Sequence, residues 1–151
     1  MPLTIIIGSD HAGRELRAQL HEYLQKHGNI VVDSFSVDDA VSTDYPDIAH
    51  AVATTVISDS NAIGILICGT GIGMSISANR HRGIRAALCT TELHAKLARQ
   101  HNHANILCLG ARMTGIELAI AITDAFVTTP LSHEERHERR VEKIEYNRSR
   151  E

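Results

Sequence analysis

Ile63-Gly64-Ile65-Leu66-Ile67-Cys68-Gly69-Thr70-Gly71-Ile72-Gly73-Met74-Ser75-Ile76-Ser77-Ala78-Asn79 is the stretch on which the fold turns. It begins with a continuous apolar run of strand length, the pattern of a strand buried on both faces. Its middle carries glycines at 69, 71 and 73. Residues without a Cβ let the backbone take positive φ and bring N–H groups close to a ligand. Its last part can be helical. Strand, glycine turn and helix start together set unpaired N–H groups and the positive end of a helix dipole at the strand's end, a setting that suits an anion. Cys68 stands there. Such surroundings favour a thiolate, which makes Cys68 a candidate nucleophile or base. Spacing alone fits a tight turn around a small buried thiol equally well.

The same alternation extends in both directions. Thr4-Ile5-Ile6-Ile7, ended by Gly8, reads as a first buried parallel strand. Gly13 to His27 reads as a helix burying Leu16, Leu20 and Leu24, with Gly28 at its C-terminal stop. Ile30-Val31-Val32 is the second strand, and the polar, aperiodic Ser34 to Asp44 is a loop. Pro46 suits the first turn of a helix whose stripe is Ile48, Ala49, Val52, Ala53, Val56 and Ile57. Beyond the glycine stretch, Arg85 to Cys89 is a fourth strand. A helix capped by Thr90 or Thr91 follows, with Leu93 and Leu97 on its buried face, ending near His101-Asn102-His103. Asn105 to Leu109 is the fifth strand, and Thr114 to Val127 an apolar helix stopped by Pro130. Ser132 to Asn147 reads as a last helix with few apolar residues, Val141 and Ile144 with Tyr146 near its end. A helix this polar holds poorly to its own core, so it is expected to lie across a partner subunit.

Strands alternating with helices predict an α/β protein: a three-layer Rossmann-like fold with a five-stranded parallel sheet and a C-terminal helix reaching a partner, in one domain over residues 1–151. In such sheets ligands bind beyond the carboxyl ends of the strands, where the strand order reverses. Asp10, His11, Cys68, Thr70, Thr90, Thr91 and Arg112 all fall just after predicted strands.

Composition removes several classes of function. The 151 residues are 43% hydrophobic and 22% charged, as in a globular chain rather than a disordered one. A net charge of -3 does not suggest a partner for nucleic acid, and 3% aromatics without Trp leave no stacking platform for single strands. No apolar run reaches the ~20 residues of a membrane span. The opening Met1-Pro2-Leu3 carries no basic leader, and the expected location is the cytoplasm. Cys68, Cys89 and Cys108 are odd in number, and the latter two have apolar flanks; reduced thiols are expected, with no structural zinc.

Three further patterns carry two readings each. His101-Asn102-His103 fits a C-cap favoured by the helix dipole. Arg136 and Arg140, at i and i+4, could hold a phosphate together or face solvent, as the Glu135–Arg139 pair does. His133-Glu134-Glu135-Arg136-His137 matches the helical H-E-x-x-H pattern of zinc proteases, but no third ligand follows it, so no metal is expected.

Taken in order, Gly8-Ser9-Asp10-His11-Ala12-Gly13, Asp44-Tyr45-Pro46, Cys68 to Gly73, Ala98-Arg99-Gln100-His101-Asn102, Ala104-Asn105, Gly110-Ala111-Arg112 and the Arg136/Arg140 tail resemble type B ribose-5-phosphate isomerases. That family also includes galactose-6-phosphate isomerase subunits. The resemblance covers nearly the whole chain. It implies a cofactor-free, metal-free aldose–ketose isomerase of the pentose phosphate pathway, acting as a homodimer or dimer of dimers on a sugar phosphate. Cys68 would be the base between C2 and C1, with Thr70 assisting. The backbone of Gly69, Gly71 and Gly73 would hold the enediolate. Asp10 and His101 would open the furanose ring. His11, Arg112, Arg136 and Arg140 would grip the phosphate, some from the neighbouring subunit, and Asn102 and Tyr45 would line the sugar. Some relatives use a glutamate where this chain has Met74, so the cysteine form applies here. Relatives often carry a glycine where this chain reads Asp33-Ser34-Phe35-Ser36, which leaves substrates such as allose 6-phosphate, galactose 6-phosphate or a tetrose phosphate open. A phosphate- or nucleotide-binding module without chemistry is the reading from another class.

Overall fold

Alternating β-branched runs and amphipathic segments close into one parallel sheet with helices on both faces in the computed structural model, which describes residues 2–34 and 43–146. The strands are β1 (Thr4–Ser9), β2 (Ile30–Asp33), β3 (Ala62–Cys68), β4 (Ala86–Leu88) and β5 (Ile106–Gly110). The helices are α1 (Arg14–Lys26), α2 (Tyr45–Ser58), α3 (Ile72–Ala78), α4 (Glu92–Asn102), α5 (Ile116–Thr128) and α6 (Glu135–Ile144). Strand order is β2-β1-β3-β5-β4, every pair parallel. The expected three-layer Rossmann-like architecture is therefore present, and the loop expected between β2 and α2 falls, at residues 35–42, outside the described residues.

The period of two along each strand sorts side chains between two cores. Ile5, Ile7, Ile63, Ile65, Ile67, Leu107 and Leu109 point to α1, α4 and α5, where Leu16, Leu20, Leu24 and Phe126 meet them. Ile6, Leu66, Cys68, Ile106 and Cys108 point the other way, to Ile48, Val52 and Val56 of α2 and Met74 and Ala78 of α3. The expected stripes of α1 and α2 are the buried ones, except that Ile57 is half exposed.

Two expectations need correction. Leu93 is 61% exposed rather than buried. The inner face of α4 is Ala95, fully buried, with Ala98 packed against the same core, which Ala119 of α5 shares. Small residues let two helices approach closely, so here alanine carries the contact. The fourth strand is shorter than expected: Arg85 and Cys89 lie outside it. The backbone N–H of Arg85 donates instead to the Asn105 side chain at 2.8 Å.

The last helix is also shorter than predicted, and it packs on α4 of its own chain. His103 Nε2 donates to the Ser132 carbonyl at 2.7 Å, and the Ser132 N–H to Gln100 at 3.3 Å. At the other end, Glu145 holds Arg85 at 2.5 Å and the Gly83 N–H at 3.1 Å. No helix of the described residues is long and apolar enough to cross a membrane.

Candidate active site

Chain order leaves β1 toward β2 on one side and β3 toward β5 on the other, so the strand order reverses between β1 and β3. The residues that follow these two strands must then face a common crevice. Asp10 follows β1 and Cys68 ends β3. Asp10 is 7% exposed, and its Oδ1 accepts the N–H groups of Ala12 at 3.0 Å and Gly13 at 3.2 Å. That caps the single 3₁₀ turn His11–Gly13 and aims the start of α1.

Cys68 is 5% exposed, and the N–H of Gly71 donates to its Sγ at 3.1 Å. This bond exists because Gly71 has φ 78°, a left-handed conformation that turns the chain back over the thiol. Thr70 Oγ1 accepts the Ile72 N–H at 3.3 Å. The loop after β5 is stitched to the glycine turn: Ala111 N–H donates to Cys68 O at 2.8 Å and Arg112 N–H to Gly69 O at 3.0 Å. Those bonds lay the Arg112 side chain against Gly69. Gly73 leaves room for the Tyr45 ring, which a Cβ there would meet at 2.5 Å. The result is a cleft of about 380 Å³ lined by Asp10, Tyr45, Cys68, Gly69, Thr70, Gly73 and Arg112, with Ile72 and Ile76 on its rim. His11 is exposed in the turn beside Asp10.

The other expected site residues lie elsewhere. A helix joining parallel strands runs back along the sheet, so the C-terminal end of α4 lies at the amino-terminal edge of the strands. Eleven residues at 1.5 Å each put His101 and Asn102 about 16 Å from the edge that holds Cys68. Asn102 lines a larger cavity of about 600 Å³ there, with Arg80, Arg82, Arg85 and Ile144. His101 stacks on His137 of α6. Arg136 and Arg140 are exposed on α6, and Arg136 Nε pairs with Glu134 at 3.0 Å. One chain thus groups its candidates into two sets at opposite edges of the sheet.

The chain matches the ribose/galactose isomerase family over residues 5–144. It belongs to that family. A ribose-5-phosphate isomerase B of Mycobacterium tuberculosis is 39% identical over 150 residues, 99% of this chain and 93% of the relative. The crystal structure of a ribose 5-phosphate isomerase of Thermotoga maritima is 50% identical with a TM-score of 0.90, covering 95% of this chain and 97% of that one. The structure of ribose 5-phosphate isomerase B from Anaplasma phagocytophilum is 46% identical with a TM-score of 0.89, with coverage of 95% and 97%.

This member of the ribose/galactose isomerases is a sugar-phosphate isomerase. Among its described residues no group of three or more His, Cys, Asp or Glu is placed to hold a metal ion. The two histidines of the H-E-x-x-H pattern have separate surroundings: His133 Nδ1 pairs with Glu138 at 2.9 Å, while His137 is buried under His101. Spacing had linked His137 only to that pattern, and nothing local in sequence announces a contact with a ring 36 positions away. The rim residues Ile72 and Ile76 were not singled out either; their i, i+4 spacing just after the glycine turn was the signal the sequence offered.

The three thiols differ in chemistry. Burial pushes Cys89 up to about 11 and Cys108 higher still, so neither is a thiolate near neutrality. Only Cys68 lines the cleft. Iodoacetamide at pH 8 should therefore alkylate Cys68 first in the folded protein, as peptide mass spectrometry would show. Equal labelling of Cys89 would contradict this.

Proposed function

We propose that this chain interconverts ribose 5-phosphate and ribulose 5-phosphate through an enediolate, with Cys68 as the base. The observation that carries the reading is the Cys68 thiol, held by the Gly71 N–H at the floor of the switch-point cleft. Asp10 and His101 open the furanose ring. The Cys68 thiolate then takes the C2 proton of the open-chain aldose. Electrons move into C1–C2, and the charge on oxygen meets backbone N–H donors of the glycine turn, preorganised by the fold. The same proton, or one from solvent, returns at C1 to give the ketose. Thr70 assists the shift of the hydroxyl proton between O2 and O1. Since the Gly71 N–H is given to sulfur, its role is to hold the base, and Gly69 and Gly73 serve the enediolate. Met74 is fully buried in the core of α2 and α3, so no side chain at that position competes for the role of base.

His11, Arg112, Arg136 and Arg140 hold the phosphate, whose binding energy orients the reacting carbons. Tyr45 and Asn102 line the sugar. No cofactor takes part.

The two sets of residues at opposite sheet edges support a homodimer, alone or paired into a tetramer. A two-fold axis can bring His101, Asn102, Arg136 and Arg140 of one subunit to the Cys68 cleft of its partner. In that arrangement α6 reaches the neighbouring site while resting on its own α4. The test mixes Cys68→Ala and His101→Ala chains after reversible dissociation. Each alone is expected to be impaired by about 100-fold or more, and random reassociation should restore about a quarter of wild-type activity on ribose 5-phosphate, since mixed dimers hold one intact site. No recovery would mean that His101 does not complete the partner's Cys68 cleft. The same assay on allose, galactose and erythrose phosphates ranks the substrates, and a higher kcat/KM on a six-carbon or four-carbon sugar would move the assignment to it.

A further inference from the structure

His137 is the one buried residue of α6, at 4% exposure on a mostly polar helix. Its ring lies parallel to that of His101, with centroids 4.3 Å apart and planes inclined by 8°. Its Nδ1 is buried without a hydrogen-bond partner. A site that needed only volume would be filled at less cost by an aliphatic side chain, because an unpaired buried nitrogen loses its water without replacement. What the imidazole supplies is a flat face. Face-to-face contact leaves His101 free to turn only within its own plane, and His101 itself is exposed. The segment before α6 is pinned to the end of α4 by the His103–Ser132 and Ser132–Gln100 bonds, so the platform cannot slide along the ring above it.

We propose that His137 is a positioning residue for ring opening, the platform that fixes the His101 imidazole for proton transfer to the ring oxygen of a cyclic aldose phosphate. This rests on the reading of His101 as the ring-opening acid. In that step the hemiacetal O1–H proton passes to Asp10 and C1 becomes a carbonyl. The C1–O4 bond breaks, and O4 takes the proton of the His101 imidazolium. The sugar keeps its formula, and the two side chains exchange one proton in total. Burial, His101 and the nearby Arg136 and Arg140 hold His137 below the usual histidine range, while Glu134 acts in the opposite sense.

The experiment compares two substrates. Ribose 5-phosphate must be opened. 4-Deoxyribose 5-phosphate has no O4 with which to close a furanose ring, and enters as the free aldehyde. His137→Leu keeps apolar volume under α6 and removes the flat face. It should lower kcat/KM on ribose 5-phosphate by about 10- to 100-fold, within the range of general acid catalysis, and leave the 4-deoxy compound within about 2-fold. His137→Phe restores a flat ring and should recover most of the loss. In a His101→Ala background, His137→Leu should have no further effect. Equal loss on both substrates, no loss on either, or failure of the phenylalanine to rescue would overturn the proposal while leaving the isomerase reading intact. A wild-type protein that isomerises neither compound would refute both.

Discussion

Cys68→Ala is expected to lower kcat by about 10³-fold, the middle of the range for a general base in proton transfer. Binding of the sugar phosphate should change little, because the groups assigned to the phosphate and hydroxyls lie on other side chains. Folding should also survive. The deleted sulfur leaves only a small gap in the core that Cys68 shares with Met74 and Leu66, and the freed Gly71 N–H borders a cleft where water can reach it. Cys68→Ser separates geometry from chemistry. A serine hydroxyl can accept the same N–H, yet at neutral pH it is a far weaker base than a thiolate, so this variant should be nearly as inactive as the alanine. The discriminating measurement is solvent exchange: in D2O the wild type should place deuterium at C1 of the ketose, and neither variant should. A Cys68→Ala protein with more than a tenth of wild-type turnover would end the assignment of Cys68 as base.

Much of this arrangement was readable in the chain. Ile5-Ile6-Ile7 and Ile65-Leu66-Ile67 lie in strands because β-branched and apolar runs that short, bounded by glycine, are buried on both faces. Asp10, Cys68 and Arg112 converge because each lies at or just after the carboxyl end of a strand at the same edge of the sheet. What sequence did not show has a common cause: contact between segments far apart in the chain. The inner face of α4 is set by how closely α5 approaches, so Ala95 is buried where Leu93 was expected. The pairing of His101 with His137 depends on where the segment after α5 lands. The separation of His101 from Cys68 is different in kind. It follows from the direction in which α4 runs back along the sheet, and under the proposed function two chains are needed to complete one site.

Gly71→Ala tests whether the turn itself, rather than the thiol alone, makes the site. Two costs add there. An alanine at φ 78° must occupy the left-handed region, at about 1–2 kcal/mol. Its Cβ would also stand 2.6 Å from Leu88 Cδ1 and 2.9 Å from the carbonyl carbon of Leu109. The leucine side chain can turn aside. The β5 backbone cannot, because it is bonded to β3 and β4 on either side. Overpacking of that kind adds about 1–3 kcal/mol. The sum, about 2–5 kcal/mol, is a large part of a typical stability of ~5–15 kcal/mol, and urea denaturation should show it as a lower midpoint at unchanged slope. Gly28→Ala is the matched control. Gly28 has φ 85° and nothing within 4 Å of an added Cβ, so it carries the conformational cost without the collision. Subtracting the two isolates the packing term. Activity separates them further: Gly28 stands behind α1, away from the cleft, and its variant should isomerise at the wild-type rate below its melting temperature. Gly71→Ala shifts the N–H that holds Sγ, and should lose at least about 100-fold in kcat even in the fraction that remains folded. A Gly71→Ala protein that is destabilised yet fully active would mean that the hydrogen bond to Cys68 is a product of the turn and has no part in the chemistry.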